Sequence, residues 1–114
     1  IEVLPARDGA PEAWAGDERA RTHLSIAHRK GRALAALADG PVGCDLEPLR
    51  DHRDVRPHVC WEAAAKATRR PLLGAERPEI DLDDRTFAAT WPDGRRAHGE
   101  WWTEAGWAFA VARA

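Results

Sequence analysis

The last thirty residues leave this chain few folds to choose from. From Thr86 they run "TFAATW", the turn "PDGR", "AHGEWWT", the turn "EAG", and "WAFAVARA". Side chains alternate across a strand, and the final segment alternates cleanly. Trp107, Phe109 and Val111 share one face, and Ala108, Ala110 and Ala112 share the other. Gly-containing turns of this length join antiparallel neighbours. The C-terminal third is therefore a β-sheet.

Upstream, "HLSIAH" (23–28) alternates as a strand, and "RKG" supplies a turn. "RALAALAD" (32–39) has helix-forming composition, but its brevity and its Gly31 and "DGP" boundaries favour a second strand. "VGCDLEPL" (42–49) is the third, and the three together predict an antiparallel meander. From Asp54 to Arg70 the pattern is helical, with Asp54 as N-cap, Pro57 in the tolerated first turn and Pro71 as the stop. Val59, Ala63 and Ala67 form its apolar stripe. Residues 72–84 read as a connection with a short strand at Ile80. Residues 1–22 read as a polar lead-in, or the remnant of a preceding subdomain, with Trp14 its one large apolar anchor. Strands on both sides of a helix predict an α+β domain over 23–114: an antiparallel β-sheet packed against a long helix.

With 114 residues and a net charge of −2, the chain has neither the basic excess for nucleic acid nor an apolar run that spans a bilayer. All of the 17 basic residues except Lys30 and Lys66 are Arg, and Asn, Gln, Tyr and Met are missing, as expected of a GC-rich bacterial source. Cys44 and Cys60 are too far apart for a C-x-x-C motif, which predicts free thiols and a reducing, cytoplasmic setting. The first residue is Ile1 rather than Met, so a cut domain, a processed product or a partial sequence is expected.

The chemistry concentrates at a few positions. Asp45 and Glu47 lie on one face of their strand, roughly 7 Å apart at ~3.3 Å per residue. They are either a solvated polar face or two ligands for a hard cation, and the pattern alone favours the former. Glu62 and Lys66 are spaced i, i+4 on one helix face. They are either an exposed ion pair worth ~0.3–0.5 kcal/mol, or a third carboxylate with an ammonium that holds a phosphate. His28, Arg29 and Lys30 are either a polar hairpin turn or donors to a phosphate at the strand end. A transition-metal set of His52, His58 and Cys60 matches no zinc spacing.

In order, "LSIAHRKGRALAALADGPVGCDLE" followed by "WEAAAKA" resembles the 4′-phosphopantetheinyl transferase superfamily, particularly its Sfp-like branch. "AHR" stands for that family's S-H-S, "VGCDLE" for its G-(V/I)-D-(I/L)-E, and "EAAAK" for the end of its helical W-x-x-K-E-(A/S)-x-x-K motif. The resemblance covers about residues 23–70, and the strands at 86–113 resemble the closing sheet of the family's second subdomain. It implies transfer of the phosphopantetheine arm of coenzyme A to a serine of an acyl or peptidyl carrier protein, with release of 3′,5′-ADP. Asp45, Glu47 and Glu62 would bind Mg²⁺, or alternatively Mn²⁺, with the coenzyme A pyrophosphate. Glu62 would also be the base, Lys66 would contact phosphate and stabilise transition-state charge, and His28 would help bind coenzyme A phosphate, with Arg29 and Lys30 beside it. A transferase domain of a larger bacterial polyketide synthase fits this pattern. The chain departs from it at Trp61, where the family has Lys, and at His58, where it has Trp. Trp61, together with a connector of only 14 residues between Glu47 and Glu62 where the family has a longer one, favours the alternative of a catalytically impaired structural or carrier-docking relic.

Overall fold

The computed structural model describes residues 2–5, 11–15, 18–19, 21–70 and 76–114, and among them the chain is α+β with one helix. Every strand pairing among these residues is antiparallel. Within the expected lead-in, strands β1 (Glu2–Pro5), β2 (Pro11–Ala15) and β3 (Glu18–Arg19) form a small sheet in that order.

The three expected strands form as β4 (His23–Arg29), β5 (Arg32–Ala38) and β6 (Val42–Pro48). They do not make a meander. β4 and β5 pair as a two-stranded hairpin, while β6 leaves it to pair with the C-terminal strand. Its partners there are β7 (Glu79–Leu82), β8 (Thr86–Thr90), β9 (Arg96–Glu104) and β10 (Trp107–Arg113), in the sheet order β6-β10-β9-β8-β7. The short strand expected at Ile80 is β7, and the rest of that connection from residue 72 to 75 lies outside the described residues. The expected face division of β10 holds. Ala108, Ala110 and Ala112 enter the helix-side core, and Trp107 with Phe109 and Val111 joins the cluster on the other side.

The helix α1 spans Arg56–Ala67, 12 residues, and is not the long helix expected from Asp54 to Arg70. At its start Val55 is the N-cap; Asp54 instead accepts hydrogen bonds from the Arg56 amide and guanidinium. At its end Thr68 turns its hydroxyl back onto the Ala64 carbonyl at 2.9 Å, and Arg69 takes a left-handed φ of 55°. A Thr that satisfies a last-turn carbonyl, followed by an αL residue, stops a helix before any proline is needed. Pro71 lies outside the described residues.

α1 packs on β6 and β10 through a seam of very small residues. Ala63, Ala64 and Ala67 from the helix are buried with Ala108, Ala110 and Ala112 from the sheet. Gly43 completes the seam: a Cβ there would collide with the Ala63 carbonyl oxygen and the Ala67 amide nitrogen. On the opposite face of the sheet Cys44 and Leu46 pack with Ala27, Leu34 and Ala36 of the β4–β5 hairpin and with Trp107. Ser25 ties the hairpin to β6, its Oγ accepting the Cys44 amide at 3.1 Å. β6 is thus covered on both faces, by the helix and by the hairpin.

Candidate metal and phosphate site

Pairing with β10 gives β6 a fixed orientation. Asp45 lies opposite Ala110 and Glu47 opposite Ala108, so both carboxylates point with those alanines toward α1. They are not a solvated face: each residue is only 5% exposed. The close seam brings α1 near enough for its polar residues to meet them. Lys66 Nζ lies 3.7 Å from Asp45 Oδ1 and donates to the Cys44 carbonyl at 3.0 Å. Glu62 shares a side-chain hydrogen bond with Asp45. The four expected residues of β6 and α1 therefore form one cluster.

The basic turn is only partly recruited. Along β4, Ser25, Ala27 and Arg29 share the face toward β6, and Arg29 extends its guanidinium to 3.0 Å from Glu47 Oε1. His28 points the other way, opposite Ala33 on the exposed face of the hairpin, and Lys30 occupies the turn with a φ of 48°. The structure brings Arg29 to the acids and leaves His28 and Lys30 outside the cluster.

The residue at the centre is one that the sequence places only in a set with His52 and Cys60. His58 Nε2 lies 3.0 Å from Glu62 Oε1 and 3.5 Å from Glu47 Oε1. The signal was available, since His58, Glu62 and Lys66 recur at i, i+4, i+8 and so share one helix face. Cys60 falls on the buried side of the helix, so it cannot join His58 in a metal set. Among the described residues the group with ligand atoms mutually within 4.8 Å is Glu47, His58 and Glu62. A cavity of about 340 Å³ borders His58 and Trp61 and is also lined by Arg53, Arg77 and Pro78. A larger concavity of about 930 Å³ lies across the far face of β7–β10, away from the acids.

The electrostatics leave this cluster incomplete. Asp45 Oδ2 and Glu47 Oε1 are buried with no hydrogen-bond partner. The Arg29 guanidinium approaches Glu47 Oε1 as an ion pair without hydrogen-bond alignment. Buried carboxylate oxygens without partners are costly, and a divalent cation is one way to satisfy them. Burial, then the hydrogen bond and charge of Glu62, push the Asp45 carboxyl up to about 8, against the Lys66 ammonium that pulls it down. Near neutrality Asp45 holds its proton, and a metal ion would take that proton's place.

This has a measurable consequence for stability. The folded chain keeps the Asp45 proton over a pH range in which the unfolded chain has lost it. Asp45 therefore subtracts nothing below about pH 4, and an increasing amount as pH rises to about 8. The decline is about 1.4 kcal/mol per pH unit at its steepest. In urea denaturation without divalent ions, Asp45→Asn is expected to flatten the loss of stability between acidic and alkaline pH. Equal slopes in the variant and the unaltered chain would remove Asp45 as the source.

Compared with known proteins, the chain matches no protein-family model and no curated protein. No helix among the described residues is long and apolar enough to cross a membrane.

Proposed function

We propose that the chain is a Mg²⁺-dependent 4′-phosphopantetheinyl transferase domain acting on a carrier-protein serine in a cytoplasmic setting. The observation that carries this reading is the pair of buried carboxylate oxygens on Asp45 and Glu47 that accept no hydrogen bond, set against Glu62 and Lys66. An all-oxygen donor set suits a hard cation that keeps room for phosphate oxygens. Asp45, Glu47 and Glu62 would hold Mg²⁺, which when bound neutralises pyrophosphate charge as a Lewis acid.

The chain's own residues supply the remaining roles. Arg29 and Lys66 stand on two sides of the acids and offer N–H donors to the non-bridging oxygens of the coenzyme A pyrophosphate. His28 and Lys30 reach only groups that extend along the outer face of the hairpin. Glu62 accepts the proton of the carrier serine, directly or through water, as the serine oxygen attacks the phosphorus that bears pantetheine. The phosphorus–oxygen bond to 3′,5′-ADP breaks, and the nucleotide leaves with the bonding pair. Holding both reactants in line supplies much of the rate in phosphoryl transfer.

A second reading, an impaired relic that docks a carrier without turnover, is favoured by Trp61. Its ring is buried, stands edge-on to His58 at 5.3 Å and lies under the Arg77 guanidinium at 4.5 Å. The position that holds a lysine in the family motif is thus part of the packing. Incubation with coenzyme A, Mg²⁺ and a panel of apo acyl and peptidyl carrier proteins separates the two readings. A carrier that gains the mass of phosphopantetheine supports the transferase. Carriers of unchanged mass at high protein concentration and long incubation leave the relic.

A further inference from the structure

We propose that His58 is a metal ligand, and that with Glu47 and Glu62 it forms a nitrogen-containing centre that takes a first-row transition ion such as Mn²⁺ in preference to Mg²⁺. The proposal rests on the same site as the transferase reading, sharing Glu47 and Glu62 with it but adding His58 and exchanging Mg²⁺ for Mn²⁺, and it needs no transfer to occur.

All three ligand atoms lie within 4.8 Å of one another, and the two separations from His58 have the size of polyhedron edges. Ligands about 2.0–2.2 Å from one metal ion, at cis octahedral or tetrahedral positions, lie about 2.8–3.6 Å from each other. His58 Nε2 is 3.0 Å from Glu62 Oε1 and 3.5 Å from Glu47 Oε1. An independent observation points into the same space: Glu47, 5% exposed, directs an oxygen there that has no hydrogen-bond partner. The edge-on Trp61 ring bounds the imidazole on one side. Lys66 and Arg29 balance charge around the group, and the half-exposed Arg29 side chain has room to withdraw when an ion enters.

The nitrogen sets the preference. Mg²⁺ selects oxygen ligands and retains its waters, whereas imidazole suits ions further along the first transition row. A centre with two carboxylates and one imidazole therefore discriminates where three carboxylates would not.

The test uses the whole chain, freed of metal and titrated with MnCl₂, with MgCl₂ as competitor. Pulsed EPR of the Mn²⁺-loaded chain is expected to show coupling to one imidazole ¹⁴N, a reading that requires no variant. His58→Ala is expected to abolish that coupling and weaken Mn²⁺ binding roughly 10- to 100-fold, while Mg²⁺ binding changes less than about threefold. Bound Mn²⁺ without ¹⁴N coupling, equal losses for both ions in His58→Ala, or no Mn²⁺ binding would each overturn the proposal. The transferase reading fails separately, on an unmodified carrier. A nitrogen-coupled Mn²⁺ with no carrier modification keeps this centre and discards the transfer.

Discussion

Glu62→Gln is expected to abolish phosphopantetheine transfer, by more than about 10³-fold, while leaving the fold intact. Glu62 carries two roles in the proposed reaction, metal ligand and proton acceptor for the serine. General-base catalysis alone contributes about 10²–10⁴-fold. Loss of a charged ligand from a cluster that also holds Asp45 and Glu47 adds to that. The fold should tolerate the change, because Gln has nearly the helix propensity of Glu. Its amide can still donate to the Asp45 carboxyl and accept from His58, the partners Glu62 has now. Carrier mass followed over time, with circular dichroism on the same samples, reads both effects. Turnover within about tenfold of the unaltered chain would remove Glu62 from both roles.

Gly43→Ala is expected to be the most damaging single methyl group that can be added to the described residues of β6. The new Cβ would meet backbone, the Ala63 carbonyl oxygen and the Ala67 amide nitrogen, and the Lys66 Cβ at 2.8 Å. Backbone cannot rotate aside as a long side chain can, so helix and strand must separate. Overpacking of this kind costs about 3 kcal/mol or more, seen as a drop in Tm of more than about 10 °C for a domain of this size. Gly40→Ala is the control, since nothing lies within 4 Å of a Cβ there. Separation of α1 from β6 also moves Glu62 and Lys66 away from Asp45 and Glu47. Metal binding should therefore fall in whatever Gly43→Ala protein remains folded. Equal Tm values for the two variants would mean that the seam is looser than described.

Much of this site is written in local periodicity. Two-residue alternation puts Asp45 and Glu47 on one face, and four-residue spacing puts Glu62 and Lys66 on another; the fold brings those faces together. Periodicity does not say which strand β6 will pair with. Its union with β10, more than sixty residues later in the chain, is a long-range choice made by burial on both faces of β6. Without that pairing the carboxylates read as a solvated edge. Alternation also holds the clue that separates Arg29 from His28, but only once Ser25 and Ala27 are known to face inward. His58 was hidden differently. Its spacing was plain, but a histidine at the start of a helix carries no message until Glu47 is seen to arrive from another strand. The sequence places the end of α1 at the proline, but Thr68 and Arg69 close the helix before it.

The alanine–glycine seam has one more consequence. Gly and Ala have no rotamers to exchange, so an interface made of them loses almost no side-chain entropy on forming. It also has no slack: a misfit cannot be absorbed by one side chain swinging into a neighbouring well. Any error along Gly43, Ala63, Ala67 or Ala110 is passed on whole, as a rigid displacement of the helix. The acids at the end of that seam register the displacement directly. In this chain the residues with no chemistry of their own act as the ruler against which the reactive ones are spaced.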